Sequence, residues 1–276
     1  MVPETSPPSL GGSGEHDEGS PTPEPDLDLD LHLHLPRILC LHGGGTNARI
    51  FRAQCRVIRA RLARSFRLVF ADAPFPSPAP GPSPAPGPDV ESVYGGWGPF
   101  RSWLRVIPSP LRASGKLDAS SIDASVAAAV RADDEAGAAG PWVGLLGFSQ
   151  GAGVAASLLL RQQRRGSGGG GSPDYRFAVL MAGRAPLLSM DDDDGVHEPG
   201  SELLLLPTIH VHGLRDAGIE MHRRLLYQCC EKSKARLVKW DGGHRVPITS
   251  EGVAGVVAEI EHVAVECGIL KRGLSI

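Results

Sequence analysis

Near the middle of the chain, residues 142 to 151 read Trp-Val-Gly-Leu-Leu-Gly-Phe-Ser-Gln-Gly. An apolar run of this length predicts a buried strand. It ends in Gly147-Phe148-Ser149-Gln150-Gly151, which fits G-x-S-x-G. A stretch rich in Ala and Leu follows and predicts a helix from Gln150 to about Arg161. Strand, sharp turn with a serine at its tip, then helix is the context of a nucleophile elbow. A serine on a strained turn needs small neighbours. Gly147 and Gly151 supply that room, and Gly153 is expected to let the helix pack closely on the strand. G-x-S-x-G alone arises by chance in a chain this rich in Gly and Ser, so the case depends on partners elsewhere.

The rest of the chain repeats the strand and helix alternation. Arg37 to Leu41 predicts a short buried strand, followed by the Gly-rich turn His42-Gly43-Gly44-Gly45-Thr46-Asn47. A helix with Ile50, Phe51, Val57, Ile58 and Leu62 on its apolar stripe should run to about Arg64, and Phe66 to Ala71 is the next strand. Strand, helix, strand at this spacing is a βαβ unit with parallel strands. Further strands are expected at Arg176 to Ala182, Leu206 to His212 and Ala235 to Trp240. Helices are expected around Ile122 to Glu135, Ile219 to Lys232 and Ser250 to Glu266. The expectation is an α/β fold of the α/β-hydrolase type: a mainly parallel sheet with helices on both faces.

Several segments stand outside that alternation. Residues 1–35 are rich in Pro, Gly, Ser and acids and are expected to be a disordered low-complexity tail, leaving 36–276 as one domain. Within the tail, Asp26 to Leu35 alternates with period two and reads as floppy chain or an edge strand. His32 and His34 there have no further ligands in sight. Pro76-Ser-Pro-Ala-Pro-Gly81 repeats as residues 82–87, a Pro-rich insertion expected near the active-site edge. After it come Tyr94, Trp97, Phe100 and Trp103, three apart, as candidate pocket residues or as anchors of their own loop. The Gly/Ser linker from Arg164 to Pro173 and the acidic run Asp191 to Asp194 are given no function; the run lacks a calcium-loop pattern.

Composition excludes other classes. The formal charge of the 276 residues is −3, which gives no reason to expect nucleic acid or an anionic membrane as partner. No apolar run approaches a membrane span. Five cysteines without C-x-x-C suggest reduced thiols, and with no signal-peptide pattern at the N-terminus a cytoplasmic location is expected. Neither a cofactor nor a metal site is expected.

Ser149, Asp216 and His244 each stand just past the end of an expected strand, the edge where catalysts gather in open α/β sheets. Their chain order, Ser, Asp, His, is that of the α/β-hydrolases. Serine is a weak nucleophile unless a base takes its proton, which suits His244; Asp216 would orient the imidazole. Asp241 is the rival acid, disfavoured because it shares a loop with His244. Backbone N–H groups of Gly44 (or its neighbour Gly45) and Gln150 are the expected oxyanion donors. A phosphate-loop reading of the glycines fails for want of G-K-[ST]. His42, His210 and His212 are expected to be structural, and a zinc site on the latter two lacks a third ligand.

These motifs also carry a resemblance. Arg37-Ile-Leu-Cys-Leu-His-Gly-Gly-Gly-Thr-Asn47, Gly98-Pro-Phe-Arg-Ser-Trp103, Gly147-Phe-Ser-Gln-Gly151, His210-Val-His-Gly-Leu-Arg-Asp216 and Gly242-Gly-His244 together resemble the fungal serine hydrolase family that includes the LovG-type polyketide thioesterases. The resemblance covers about Pro36 to Glu266. It implies Ser149, Asp216 and His244 as the triad. It also implies hydrolysis of an acyl ester or thioester, with a polyketide-type chain released from an acyl carrier domain in secondary metabolism. A general carboxylesterase on small oxygen esters has the same machinery, and a non-catalytic ligand receptor on the same fold is the alternative of another class.

Overall fold

The computed structural model describes residues 32–79, 90–105, 118–166, 173–187, 190 and 202–271. Its main sheet has six strands: β1 (Arg37–Leu41), β2 (Arg67–Ala71), β5 (Trp142–Phe148), β6 (Phe177–Met181), β7 (Thr208–Gly213) and β8 (Ala235–Trp240). They lie in the order β2-β1-β5-β6-β7-β8, and every pair is parallel. β3 (Phe75–Pro76) and β4 (Arg101–Ser102) form a separate antiparallel pair.

The four inner strands are buried along their whole length. Their continuous apolar runs are what a sheet covered on both faces requires. Side chains alternate between two cores. Ile38, Cys40, Phe177, Val179 and Ile209 face one helical layer, built from α1 (Ala48–Gln54), α2 (Arg56–Leu62) and α7 (Ser250–Glu266). Leu39, Leu41, Ala178 and Leu180 face the other, built from α4 (Ala119–Glu135), α5 (Gln150–Arg165) and α6 (Ile219–Cys229). A short α3 (Val90–Tyr94) precedes a 3₁₀ turn at Gly95–Trp97.

Most expected elements are present, with shifted ends. The single helix expected up to Arg64 is two, divided at Cys55, whose ψ of 9° leaves the helical range. Hydrogen bonds from Cys55 N to Phe51 O and from Arg59 N to Cys55 O run through the break. α5 continues past Arg161 to Arg165 and ends at Gly166, whose φ of 76° is the left-handed value that stops a helix. α6 stops short of Lys232 because Cys230 is extended and bridges to Leu204.

The chain's contacts begin before Pro36. Residues 32–34 form a helical turn. The Leu33 carbonyl accepts the amides of Ala139 and Gly140, and His32 lies 2.8 Å from the Arg67 guanidinium. The rest of the expected tail, most of the Pro repeat, the centre of the Gly/Ser linker and the acidic run lie outside the described residues.

A charged cluster sits at the strands' N-terminal ends. Asp133, buried on α4, accepts from Arg67 at 2.6 Å and from Arg37 at 3.3 Å. Arg37 also donates to Asp134 and to the Gly140 carbonyl, and its guanidinium stacks over Trp142 at 4.2 Å. Removing one partner of a buried pair leaves an uncompensated charge. Asp133→Leu should therefore destabilise the fold by about 3 kcal/mol, read from a denaturant midpoint. The geometry around Ser149 should be unchanged, since the cluster lies at the opposite end of the sheet.

Candidate active site

Strand order reverses between β1 and β5: the chain leaves β1 for β2 on one side and later builds outward from β5 on the other. Such a switch point opens a crevice at the strands' C-terminal ends. The Gly43–Gly45 turn leaves β1 there, and Ser149 leaves β5 beside it.

Ser149 has φ 53° and ψ −113°, a left-handed conformation that non-glycine residues seldom adopt. Its backbone is anchored by a hydrogen bond from its N–H to the Met181 carbonyl. The turn is so tight that a Cβ at Gly147 would lie 2.4 Å from the Gly151 carbonyl oxygen, and one at Gly151 would lie 2.2 Å from that of Leu41. Both glycines are thus required by contact. Gly153 is not: a Cβ there would meet nothing within 4 Å, so close packing does not explain it.

Ser149, His244 and Asp216 come together from three strand ends. Ser149 Oγ lies 2.9 Å from His244 Nε2, and His244 Nδ1 lies 2.7 Å from Asp216 Oδ2. With the ring proton on Nδ1, His244 donates to Asp216 and can accept the serine proton at Nε2. The other carboxylate oxygen, Asp216 Oδ1, accepts the Gly218 amide at 2.8 Å. Burial pushes the Asp216 carboxyl up, but the hydrogen bonds from His244 and Gly218 and the neighbouring imidazoles outweigh it and hold it below the usual range. Asp241 is elsewhere: it is exposed and paired with Arg215 at 2.9 Å.

The Gly-rich turn is held from several sides. The amide of Gly45 donates to the Arg101 carbonyl at 2.9 Å, which removes Gly45 as an oxyanion donor. Among the described residues the amides of Gly44 and Gln150 have no backbone acceptor. Gln150 opens α5, where helix amides lack intrahelical partners and attract negative charge. The Gln150 side chain ties the Ser149 turn to Ser102 and Trp103, accepting from Trp103 N at 2.7 Å and Ser102 Oγ at 3.1 Å. His42 is structural as read: Nε2 accepts the Ala73 amide and Nδ1 faces the Gly43 carbonyl, while burial lowers its pKa.

The four aromatics separate into two groups. Trp103 has no exposed surface; its indole donates to the His42 carbonyl at 2.9 Å and its ring packs on His42. It is a plug under the turn rather than a pocket wall, because a buried indole N–H needs a fixed acceptor. Tyr94, Trp97 and Phe100 are half-buried. Tyr94 and Trp97 pack edge to face, and Arg49 stacks over Trp97 at 4.1 Å. Asn47 Nδ2 holds their loop through the carbonyls of Trp97 and Pro99.

Behind Asp216 lies a group that sequence reasoning missed. His222, on α6, is wholly buried, with Nε2 3.8 Å from Asp216 Oδ2, and neither ring nitrogen has a hydrogen-bond partner among the described residues. Its ring is 6.1 Å from His244 and 5.6 Å from His212, which in turn is 6.1 Å from His210. Burial depresses all three inner rings, to about 3 for His210 and about 4 for His212 and His222, so they are neutral. His210 is 3.2 Å from Thr208 Oγ1. All five cysteines are free, and burial raises the four inner thiols.

The sequence as a whole is similar to those of known proteins. A probable esterase of Aspergillus terreus is 61% identical over 250 residues, covering 87% of this chain and 92% of that protein. The probable esterase afoC of Emericella nidulans is 50% identical over 277 residues, covering 84% and 91%. The crystal structure of esterase PE8 is 18% identical over 83% of this chain and 93% of its own, with a TM-score of 0.48. The family model for serine hydrolase (FSH1) matches residues 32–256. With that match spanning most of its length, the chain belongs to the FSH1 serine hydrolase family.

Proposed function

We propose that this serine hydrolase cleaves acyl esters and thioesters, with Ser149 as nucleophile, His244 as general base and acid, and Asp216 as the group that orients and charges His244. The observation that carries the reading is the unbroken relay from Ser149 Oγ through His244 to Asp216, at 2.9 and 2.7 Å. His244 takes the hydroxyl proton as Oγ bonds to the substrate carbonyl carbon. The resulting oxyanion is received by the amides of Gly44 and Gln150. Collapse expels the alkoxide or thiolate, and the proton on His244 passes to the leaving group or, where the thiolate departs without it, to solvent, so the imidazole is again a base. Water then repeats the sequence on the acyl-enzyme and frees the acid.

A fluorophosphonate should label Ser149, located by peptide mapping, and Ser149→Ala should lower turnover by about six orders of magnitude. A label on another residue would overturn the assignment.

Asp216→Asn should cost roughly 10⁴ in turnover, because the imidazole loses its orienting charge and tautomer. Asp241→Asn, which only frees an exposed Arg215, should be mild. Matched kinetics showing the reverse ranking would move the acid's role to Asp241.

For the substrate we propose a medium or long acyl chain, of polyketide type, presented as a thioester by a carrier domain in secondary metabolism. The esterase names of the relatives support an ester-cleaving activity. The aromatic segment from Tyr94 to Phe100, strapped to the Gly44 turn through Asn47 and Arg101, offers an apolar face for such a chain. A thiolate also leaves with little acid assistance. On this reading kcat/KM rises with acyl length by up to about fourfold per methylene, the equivalent of about 0.8 kcal/mol. Trp97→Ala should flatten that rise while sparing acetyl-ester turnover. A flat series with acetate esters best would favour a carboxylesterase on small oxygen esters.

A further inference from the structure

Asp216 Oδ2 is approached by two imidazoles from different elements. His244 Nδ1 lies at 2.7 Å, from the loop after β8, and His222 Nε2 at 3.8 Å, from α6. One ligand atom from each of Asp216, His222 and His244 falls within 4.8 Å of the other two. His222 is the unexplained member. A buried imidazole with no partner on either nitrogen is costly, and such a group calls for an account.

The donor set is one carboxylate and two imidazoles, the mixture that zinc-class ions select. Around zinc, at bond lengths near 2.1 Å, neighbouring ligand atoms of a tetrahedron stand about 3.4 Å apart. The spacings of 2.7 and 3.8 Å from Asp216 to the two imidazoles bracket that value and the third lies within 4.8 Å, so side-chain rotations close the site. Asp216 Oδ1 remains on Gly218 N, leaving Oδ2 for the ion. His244 is the half-buried member and opens the route from solvent. The Arg184 guanidinium near His222 opposes a cation and limits its affinity.

We propose that Asp216, His222 and His244 form an inhibitory site for a zinc-class divalent ion, which switches the enzyme off by fixing His244 in the wrong tautomer. The ion takes the lone pair of Nδ1. The ring keeps its single proton, now on Nε2, where it faces Ser149 Oγ. A protonated Nε2 cannot accept the serine proton, so attack stops. No electron is transferred and the ring's proton count is unchanged. A chelator restores the active tautomer. The inhibitory half rests on the proposed role of His244 as base; the binding half does not.

The test uses the full chain and zinc chloride alone, in chelator-treated buffer. Hydrolysis of an activated acetyl ester is titrated with zinc in the wild type and in His222→Phe, each variant referred to its own metal-free rate. The expected result is chelator-reversible inhibition of the wild type at micromolar zinc, with the inhibition constant raised at least about tenfold in His222→Phe. Equilibrium dialysis on Ser149→Ala reads binding without turnover. One zinc should bind per chain at that concentration, and the doubly substituted Ser149→Ala, His222→Phe should lose it. If His222→Phe lacks a cooperative melting transition, His222→Gln takes its place in both arms. Wild type unaffected by millimolar zinc, or equal inhibition constants with and without His222, would overturn the site. Binding in the dialysis arm without inhibition would retain the metal and overturn the tautomer switch.

Discussion

The left-handed backbone at Ser149 governs the rest of the site. A β5 to α5 turn that tight lifts the hydroxyl clear of the sheet and brings the α5 N-terminus beneath it. Holding a non-glycine residue there costs roughly 1–3 kcal/mol, so its surroundings must over-determine it. They do so by contact. Gly147 and Gly151 let β5, α5 and the end of β1 approach within distances that no Cβ tolerates. The helix behind is buried from Gly151 to Leu160, which leaves it no room to recoil. At the end of the neighbouring strand, Ala182 has a φ of 51° and donates its amide to Val211. Two adjacent strands therefore leave the sheet through a non-glycine residue of positive φ.

What the sequence disclosed and what it hid have a common physical basis. Strands buried on both faces are continuous apolar runs, so β1, β5, β6 and β7 were legible, and with them the edge where Ser149, Asp216 and His244 meet. Chain order favours Asp216 over Asp241 as the acid, and in the structure Asp216 is a buried carboxylate on His244 while Asp241 is an exposed one on Arg215. Asp133 and His222 were not legible as partners. Each is a polar residue on an apolar helical stripe: Asp133 follows Ile122, Val126 and Val130 on α4, and His222 falls between Ile219 and Leu226 on α6. The periodicity marks both as anomalies. Their partners, Arg37 and Arg67 for one and Asp216 for the other, lie on different elements, and only the packing of helix on sheet unites them.

The aromatic segment shows the same limit. Four rings spaced three apart look alike in sequence, yet Trp103 is a buried strut and Trp97 a half-buried platform under Arg49. The difference arises from Gln150. Its amide is one of the two proposed oxyanion donors, while its side chain grips the amide of Trp103. One residue thus joins the Ser149 turn to the Gly-Pro-Phe-Arg-Ser-Trp string.

The carboxylate of Asp216 finally accounts for the histidines around it. Oδ1 is committed to the Gly218 amide, so Oδ2 alone is available to the imidazoles. His244 occupies it at 2.7 Å, and His222 at 3.8 Å is beyond hydrogen-bonding range. An unmade buried hydrogen bond costs about 1–3 kcal/mol, an expense a leucine at position 222 would avoid. Burial keeps His222 neutral, so it does not offer Asp216 a second cation that would compete with an imidazolium forming at His244. Asp216 Oδ2 is left hydrogen-bonded to one imidazole, that of His244, with the unpaired His222 ring behind it. That asymmetry leaves the chain of contacts from Ser149 through His244 to Asp216 intact, and it sets the same three side chains at the spacing from which the ligand set is proposed.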